Sequence, residues 1–457
     1  MTSMIIEKII SDGIAHYSYY IGSGTEAAII DPRRDVDIYI QLSKTYNQKI
    51  VSVFETHRNE DYSIGSLELS KITGAKIYHG SRLDFTYGEK LFEGDVFKIG
   101  DLEINVLETP GHTDESLSFT LKERGETDVF AVFTGDTLFA GEVGRTDLYG
   151  ENHVERLSEA LYESLFEKIL KLGDGVTVLP AHGAGSVCGG NISVRGFTTI
   201  GYEKKTNRAL KIKNRADFIK HKLNEKLEIP PYFKQMEIYN REGPPVKGLP
   251  NPKPLSVKEF KQFYDSKAQI IDVRTPDSFA SAHIPGSVNI WASGLPLFAG
   301  WLLNYEDPII IVKDDSQNMD SIVRYLFRLG FDNIEGYLNN IFDWYKNGEP
   351  VGRSGVLSVT ELKEKLLDKE IFLLDVRDRR TYSERGFIKG AYNIYVGHLK
   401  NRLNEIPDNK IICVYCDSGF KTGIAVSLLL KKGFRQVYGV LGGFSAWVSR
   451  GFPVDYV

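Results

Sequence analysis

The sequence predicts a multidomain α/β protein, and three observations support this prediction. The chain has 457 residues, which is more than one hydrophobic core usually organises and suggests about three domains. Seven of its 17 prolines lie between Pro230 and Pro254, and proline fixes φ and removes a backbone donor, so we expect no helix or strand there. Beyond this cluster a stretch of about 100 residues occurs twice. The predicted divisions are an N-terminal unit over 1–240, a linker over 241–254, and two copies of one domain over 255–352 and 355–457.

The repeat is visible in two pairs of matching segments. The segment "IDVRTPDSFASAHIPGSVNI" of the first copy returns as "LLDVRDRRTYSERGFIKGAYNI" in the second. Runs of β-branched residues at 270–273, 309–312 and 411–414 alternate with amphipathic stretches such as 322–329. This alternation is typical of a parallel sheet covered by helices.

Composition excludes several classes of function. Charged residues make up 26% of the chain and the net charge is -5, so we expect no nucleic-acid partner. Because no uncharged apolar run approaches the length of a spanning helix, we expect no membrane segment. The three cysteines, Cys188, Cys413 and Cys416, are too few for a disulfide framework. With no leader-like N-terminus, they predict a cytoplasmic protein, and a homo-oligomer is left open.

The N-terminal unit combines strands with a clear helix. Apolar residues at helical spacing predict a helix from about His153 to Leu172, ended by Gly173; its buried face comprises Val154, Leu157, Leu161, Leu165 and Ile169. Four apolar runs end at a polar residue, and these residues are His57, His112, Asp136 and His182. Because strand ends present side chains to ligands, this set predicts a binding site.

One of these strand ends is unusual. Residues 56–62, "THRNEDY", follow the frame of a metal-binding turn, T-H-x-H-x-D-H. His57 and Asp61 occupy their expected positions, whereas Asn59 and Tyr62 stand where the frame has histidines. The turn is either a lost metal site or an active site of another kind.

The order and context of four motifs resemble the metallo-β-lactamase superfamily over about residues 1–225. The motifs are "THRNEDY", "ETPGHTDESLSF", "FTGDTLF" and "PAHGAGS". The resemblance implies an αβ/βα sandwich with metal at the strand ends. Dinuclear zinc hydrolases of this superfamily, such as glyoxalase II, need the two imidazoles that Asn59 and Tyr62 replace, and an amide or phenol is a poor substitute on zinc.

A branch of the superfamily, the persulfide dioxygenases, resembles this chain more closely. Residues 133–147, "FTGDTLFAGEVGRTD", match the segment of that family that carries its aspartate. The resemblance implies that His57, His112 and Asp136 bind one Fe(II), with zinc as an adventitious occupant. Two imidazoles and one carboxylate with open positions are the donor set suited to non-haem Fe(II) and O2. Asn59 is then a departure that the site tolerates.

Other residues near these motifs have two interpretations each. Tyr62 and His182 are expected to orient the ligands or line the substrate cavity. Asp61 either does the same or caps a helix that begins near Ser63. Arg145 either contacts substrate or, as we favour, forms a structural ion pair. Cys188 either carries sulfur near the metal or is a buried, inert thiol.

The repeated domains resemble rhodanese domains over nearly their whole length. In the second copy "CDSGFKTG", residues 416–423, follows a strand and opens a helix, so its N–H groups are expected to lower a thiol's pKa and cradle a persulfide. Cys416 is the predicted sulfur acceptor, and Cys413 is expected in the core. The residues of the predicted loop are Asp417, Ser418, Gly419, Phe420 and Lys421, the last replacing the family's usual arginine.

The first copy differs at the decisive position. Asp314 stands where the second copy has Cys416, and a carboxylate cannot accept sulfane sulfur. We therefore predict a degenerate domain that spaces, docks or dimerises. In the second copy Phe387 replaces the family's usual histidine.

The combined prediction is an enzyme with two sites. The metal site would oxidise a low-molecular-weight thiol persulfide with O2 to sulfite and thiol, and Cys416 would transfer sulfane sulfur between thiols or onto sulfite to give thiosulfate. The alternatives are a glyoxalase II-type thioester hydrolase and a non-enzymatic sulfur carrier. The identity of the thiol and the direction of sulfur transfer stay open.

Overall fold

The computed structural model describes residues 4–225, 227–266, 268–367 and 370–456. The chain forms two compact units, residues 1–249 with 327–330 and residues 250–326 with 331–457. Within the ranges described, each helix is too short or too polar to cross a membrane.

The first unit is built from two six-stranded sheets and flanking helices. Its strands are β1 (Ile5–Ser11), β2 (His16–Ser23), β3 (Glu26–Ile30), β4 (Lys49–Phe54), β5 (Lys76–Gly80), β6 (Glu89–Leu91), β7 (Val96–Ile99), β8 (Leu102–Glu108), β9 (Leu117–Glu123), β10 (Ala131–Gly135), β11 (Thr177–Pro180) and β12 (Thr198–Thr199). Its helices are α1 (Asp37–Tyr46), α2 (Ser66–Thr73), α3 (Val154–Glu163), α4 (Ile200–Thr206), α5 (Arg215–Leu223) and α6 (Phe233–Glu242).

The two sheets stack face to face. One has the order β1-β2-β3-β4-β5-β6 and the other β12-β11-β10-β9-β8-β7. Side chains from both sheets, such as Phe54 and Phe119, form one buried cluster between them. The outer face of the first sheet is covered by α1 and α2, and that of the second by α3 and α5. This is the αβ/βα sandwich predicted from the sequence.

The predicted helix of the first unit is confirmed. After α3 the helical path continues through a π-turn, Ser164–Lys168, and a 3₁₀ turn, Ile169–Lys171. All five residues of the predicted apolar face are buried. The widened turn keeps Leu165 and Ile169 facing the second sheet.

The proline-rich segment is more ordered than the sequence predicts. Helix α6 lies inside it, and residues 253–254 pair with a later strand. The prediction that residues 230–254 lack regular structure is therefore wrong. The reason is spacing: the gap between Pro231 and Pro244 is long enough for a helix of ten residues, and Pro254 joins its sheet at an edge strand, where a missing N–H is tolerated.

The second unit contains two similar parallel sheets. Its strands are β13 (Lys253–Pro254), β14 (Gln269–Asp272), β15 (Val288–Asn289), β16 (Ile309–Val312), β17 (Ile334–Leu338), β18 (Gly355–Leu357), β19 (Ile371–Asp375), β20 (Tyr392–Asn393), β21 (Ile411–Tyr415) and β22 (Val437–Val440). The helices after residue 250 are α7 (Val257–Asp265), α8 (Pro276–Ser281), α9 (Leu295–Leu302), α10 (Met319–Arg328), α11 (Ile341–Lys346), α12 (Val359–Lys365), α13 (Arg379–Arg385), α14 (Val396–Arg402), α15 (Phe420–Lys432) and α16 (Gly443–Ser449). The sheet orders, β13-β17-β16-β14-β15 and β18-β22-β21-β19-β20, are equivalent, as expected for two copies of one fold.

Candidate metal centre and thiol site

The predicted ligands of the first unit meet at the ends of strands. His57 follows β4, His112 lies between β8 and β9, and Asp136 follows β10. Asp136 Oδ2 lies 3.7 Å from His57 Nε2 and 3.4 Å from His112 Nε2. These three atoms are buried and have no hydrogen-bond partner among the described residues. Buried polar atoms normally have partners, so three converging lone pairs without one fit a bound cation.

Neighbouring groups fix which ring nitrogen of each histidine faces this centre. Thr56 Oγ1 donates its hydrogen to Asp31 Oδ2, so it accepts one from His57 Nδ1, at 2.9 Å. His112 Nδ1 donates to the Arg145 carbonyl oxygen at 2.9 Å. In the neutral form of each ring, Nε2 is then the nitrogen that is free to bind a metal. Burial also lowers the pKa of His57 to about 4, so its imidazole is neutral.

His182 occupies the other side of Asp136. Its Nδ1 lies 2.7 Å from Asp136 Oδ1 and its Nε2 3.0 Å from Asp61 Oδ2. Burial opposes a charge on His182, but Asp136 and Asp61 outweigh it and raise the pKa of this imidazole well above its usual value. Asp61, His182 and Cys188 also offer ligand atoms within 4.8 Å of one another.

The two replaced positions of the turn offer no imidazole to this centre. Asn59 Nδ2 donates to the carbonyl oxygen of His57, two residues earlier, at 3.2 Å. The ring of Tyr62 packs on His16 with 3.9 Å between centroids, and its hydroxyl lies 3.5 Å from the Asp31 carbonyl oxygen. Tyr62 therefore reaches the site only by packing near His182, at 6.4 Å between rings.

Two of the open alternatives are decided by these contacts. Helix α2 begins at Ser66, and its N-cap residue, Gly65, makes no side-chain hydrogen bond. Asp61 therefore does not cap this helix and pairs with His182 instead. Arg145 forms two hydrogen bonds to Asp147, at 2.6 and 2.8 Å, and its side chain is buried. It forms the structural ion pair that we favoured, and its carbonyl oxygen accepts from His112 Nδ1.

Cys188 lies beside the metal centre. Its sulfur is within 4.8 Å of ligand atoms of His112 and Asp136, and also of Asp61 and His182. The side chain is buried against Phe139 and Ile192. Burial and the nearby carboxylates raise the pKa of the thiol well above its usual value, so it is a neutral thiol next to the centre. The sequence indicated that Cys188 could lie near the metal centre, but it gave no indication of the protonation state of its thiol.

Two residues of this site were not found from the sequence. Glu60, at a variable position of the turn, is fully buried with Oε2 3.5 Å from His112 Nε2. Asn240 of α6 holds the turn: its Nδ2 donates to the carbonyl oxygens of Asn59 and Tyr62, and its Oδ1 accepts from the Ile64 N–H. Asn240 lies far along the chain, so local spacing carried no signal for it, whereas Glu60 was visible as a potential ligand within the turn.

The thiol site has the predicted strand–loop–helix form. Cys416 follows β21, and α15 begins at Phe420 with Gly419 as its N-cap. The Gly419 N–H donates to Cys416 Sγ at 3.1 Å. Lys421 Nζ lies 3.8 Å from Asp417 Oδ2, so part of its charge is directed at this carboxylate. Cys413 is buried in the core, as predicted, and burial raises its pKa to about 11.

The degenerate copy contributes to the surroundings of the Cys416 loop. A cavity of about 370 Å³ is lined by Ser418, Gly419 and Phe420 of the loop and by residues 275–277 and 279–280 of the first copy. Phe420 also packs on Trp291, with 5.2 Å between ring centroids.

In the first copy Asp314 stands at the position of Cys416. Its N–H donates to Gln317 Oε1 within the same loop. Phe387 stacks on Tyr382 at 4.4 Å, and its counterpart His283 stacks on Phe279 at 4.0 Å, so this exchange preserves packing.

Family models match both parts of the chain. The model of the Metallo-beta-lactamase superfamily matches residues 12–182, and that of the Rhodanese-like domain matches residues 256–347 and 358–450. A solved metallo-beta-lactamase from Staphylococcus aureus subsp. aureus COL is 28% identical with a TM-score of 0.65, and the match covers 74% of this chain and 98% of that one.

Two shorter proteins match the first part. The structure of ETHE1 from Myxococcus xanthus is 30% identical, with 52% of this chain and 98% of that chain covered and a TM-score of 0.46. Hydroxyacylglutathione hydrolase GloC from Haemophilus influenzae is 27% identical over 210 residues, which are 41% of this chain and 89% of that protein.

Proposed function

Because the chain belongs to the metallo-β-lactamase superfamily and carries two rhodanese-like domains, we propose that it is a persulfide dioxygenase joined to a sulfurtransferase. The first unit converts the anion of a low-molecular-weight thiol persulfide, R–S–S−, together with O2 and water, into a thiolate, sulfite and two protons. The bond between the two sulfur atoms breaks, and the terminal sulfur loses four electrons to O2. We further propose a cytoplasmic location for this reaction.

The donor arrangement supports this proposal. Two imidazoles and the free oxygen of Asp136 converge on one buried centre, while the other oxygen of Asp136 is held by His182. A site with one ion and open positions suits Fe(II) chemistry with O2, whereas the dinuclear hydrolases need the second position. The convergence of His57, His112 and Asp136 on one centre is the observation on which the proposal rests.

The chain's own residues would prepare the site in three ways. His57, His112 and Asp136 would hold Fe(II), which supplies the redox chemistry that lets O2 react with a sulfur anion. Thr56 and the Arg145 carbonyl oxygen fix the orientation of the two imidazoles. The surrounding side chains are buried, which would limit bulk water around the persulfide sulfur and O2 while one water takes part in the reaction.

At Cys416 the proposed reaction is sulfur transfer without net oxidation. The thiolate takes the outer sulfur of a persulfide, R–S–SH, and releases the thiol R–SH, which leaves Cys416 as a persulfide. Sulfite then takes that sulfur to form thiosulfate and regenerates the thiolate. The Gly419 N–H, which already donates to Sγ, is placed to stabilise both anions.

The two alternatives have less support. A thioester hydrolase is favoured by the likeness to hydroxyacylglutathione hydrolase, but Asn59 and Tyr62 provide no imidazole to a second ion. A sulfur carrier without an enzymatic centre leaves the buried, partnerless ligand atoms unexplained.

The test measures O2 consumption by protein loaded anaerobically with Fe(II) and given glutathione persulfide. Wild type is expected to consume O2 in proportion to the sulfite and thiosulfate formed. His57→Ala is expected to lose this activity by at least 100-fold, because a ligand is removed. His221→Ala, an exposed histidine on α5, is the matched control and should behave as wild type.

A further variant separates the two sites. Cys416→Ser should keep O2 consumption and sulfite release but lose the conversion of sulfite to thiosulfate. If iron-loaded wild type consumes no O2 with glutathione persulfide or coenzyme A persulfide, the dioxygenase proposal is refuted. Cleavage of a glutathione thioester would then favour the hydrolase.

A further inference from the structure

We infer that Glu60 is a fourth protein ligand of the metal centre, so that the ion is held by two imidazoles and two carboxylates. This donor set is His57, His112, Asp136 and Glu60. The inference requires a metal ion at this site, but it does not depend on persulfide oxidation.

The position of the Glu60 carboxylate is the first argument. The side chain is fully buried, and its Oε2 has no hydrogen-bond partner among the described residues. Oε2 lies 3.5 Å from His112 Nε2, which also lacks a partner. His57, Glu60 and His112 each offer a ligand atom within 4.8 Å of the other two. A group of donors at this spacing matches the first coordination sphere of a transition metal.

The carboxylate oxygens without partners are the second argument. Three buried carboxylates, Asp61, Asp136 and Glu60, surround the centre. His182 lies between the two aspartates, and Arg58 Nη2 donates to Glu60 Oε1 at 3.2 Å. Asp136 Oδ2 and Glu60 Oε2 have no hydrogen-bond partner among the described residues. Because a buried carboxylate oxygen without a partner is costly, this arrangement favours a cation next to Oε2.

The conformation of the turn is the third argument. The frame places a histidine ligand at Asn59, but that amide turns back to the His57 carbonyl oxygen. Glu60, one residue later, is directed toward the centre instead. Asn240 fixes this conformation by accepting the Ile64 N–H and donating to the Asn59 carbonyl oxygen. The turn has thus lost an imidazole and gained a carboxylate at the next position.

The added carboxylate changes what the site binds. Four protein donors leave the ion one fewer open position than a two-histidine, one-carboxylate triad. Two oxygen donors also make the set harder, which favours Fe(II) or Mn(II) relative to metals that prefer sulfur and nitrogen.

The experiment titrates metal-free protein with Co(II) under anaerobic conditions and records its visible absorption, with a competing chelator to measure affinity. Glu60→Gln keeps the size of the side chain and removes its charge. We expect its Co(II) affinity to fall by about 100-fold, at the upper end of the cost of disturbing a ligand's surroundings. We also expect a different absorption spectrum, because one donor atom changes.

Glu237→Gln is the matched control. Glu237 approaches the same Arg58, at 3.5 Å, but its side chain is 33% exposed. This variant should bind Co(II) with wild-type affinity within about threefold and with an unchanged spectrum. Far-UV circular dichroism checks that both variants are folded, and Glu60→Asp, which withdraws the carboxylate by one methylene, should also lower the affinity.

The outcomes distinguish the possibilities. If Glu60→Gln binds Co(II) with the wild-type affinity and spectrum, the inference is overturned. A loss of affinity with an unchanged spectrum overturns it too, because Glu60 would then act through His112. Wild-type protein with a Glu60-dependent spectrum but no O2 consumption would refute the proposed function and leave this inference standing.

Discussion

Asn240 provides the sharpest test of how the metal-binding turn is held. Its side chain is buried on α6 and makes three hydrogen bonds to the backbone of residues 59, 62 and 64, at 2.6, 2.7 and 2.9 Å. Asn240→Ala removes all three and leaves buried backbone groups without partners. The turn carries His57, Asp61 and Glu60, so its conformation sets the donor positions.

The expected cost follows from the number of bonds. A buried hydrogen bond contributes about 1 kcal/mol net, so three give about 3 kcal/mol. Because about 1.4 kcal/mol changes an equilibrium tenfold, local opening of the turn should become somewhat more than 100-fold more frequent. We expect Co(II) affinity to fall as well, because a turn that opens must be ordered again on binding.

Hydrogen exchange measured by mass spectrometry on peptides that cover residues 57–65 detects this opening. Asn207→Ala is the matched control, since Asn207 is also buried in the first unit and makes three hydrogen bonds, at 2.9, 3.1 and 3.1 Å, away from the turn. It should lower stability by a similar amount and leave the exchange of peptides 57–65 and the Co(II) affinity unchanged. If folded Asn240→Ala protein shows exchange of this peptide within about threefold of wild type, Asn240 does not hold the turn and the reasoning fails.

Two other predictions concern pH and sulfur transfer. Burial raises the pKa of Asp31 to about 7 from 3.8, so its contribution to stability is fully present below about pH 4 and is lost as the pH rises through 7, by about 4 kcal/mol. Thermal unfolding of metal-free Asp31→Asn protein should therefore depend less on pH between 5 and 8 than wild type; parallel profiles would contradict this. Phe420→Ala removes an exposed wall of the cavity lined by the Cys416 loop, and we expect about a tenfold rise in KM for a persulfide donor with little change in kcat. Phe342→Ala, which removes an exposed phenylalanine outside that cavity, is the control, and equal KM values in the two variants would refute a binding role for Phe420.

The fold classes of the domains and the chemistry of the candidate ligands were predictable from the sequence. Periodicity and the repeat located the helix from His153 and the two parallel sheets, because side chains alternate with a fixed period in each element. The four strand ends were recognisable from apolar runs followed by histidine or aspartate. Bringing His57, His112 and Asp136 together then follows from strands that end at the same edge of the sandwich.

The sequence by itself thus determined the domain classes and indicated the candidate metal ligands and the candidate thiol, since each depends on local pattern. Only the tertiary structure decided which groups surround the candidate metal ligands. Asp61 pairs with His182 and Glu60 approaches His112 through contacts between segments that are far apart in the chain. Arg145 pairs with Asp147, two residues later, because of the local conformation of the chain. The charge of a buried side chain depends on its neighbours in space, and those neighbours exist only once the two sheets have packed together.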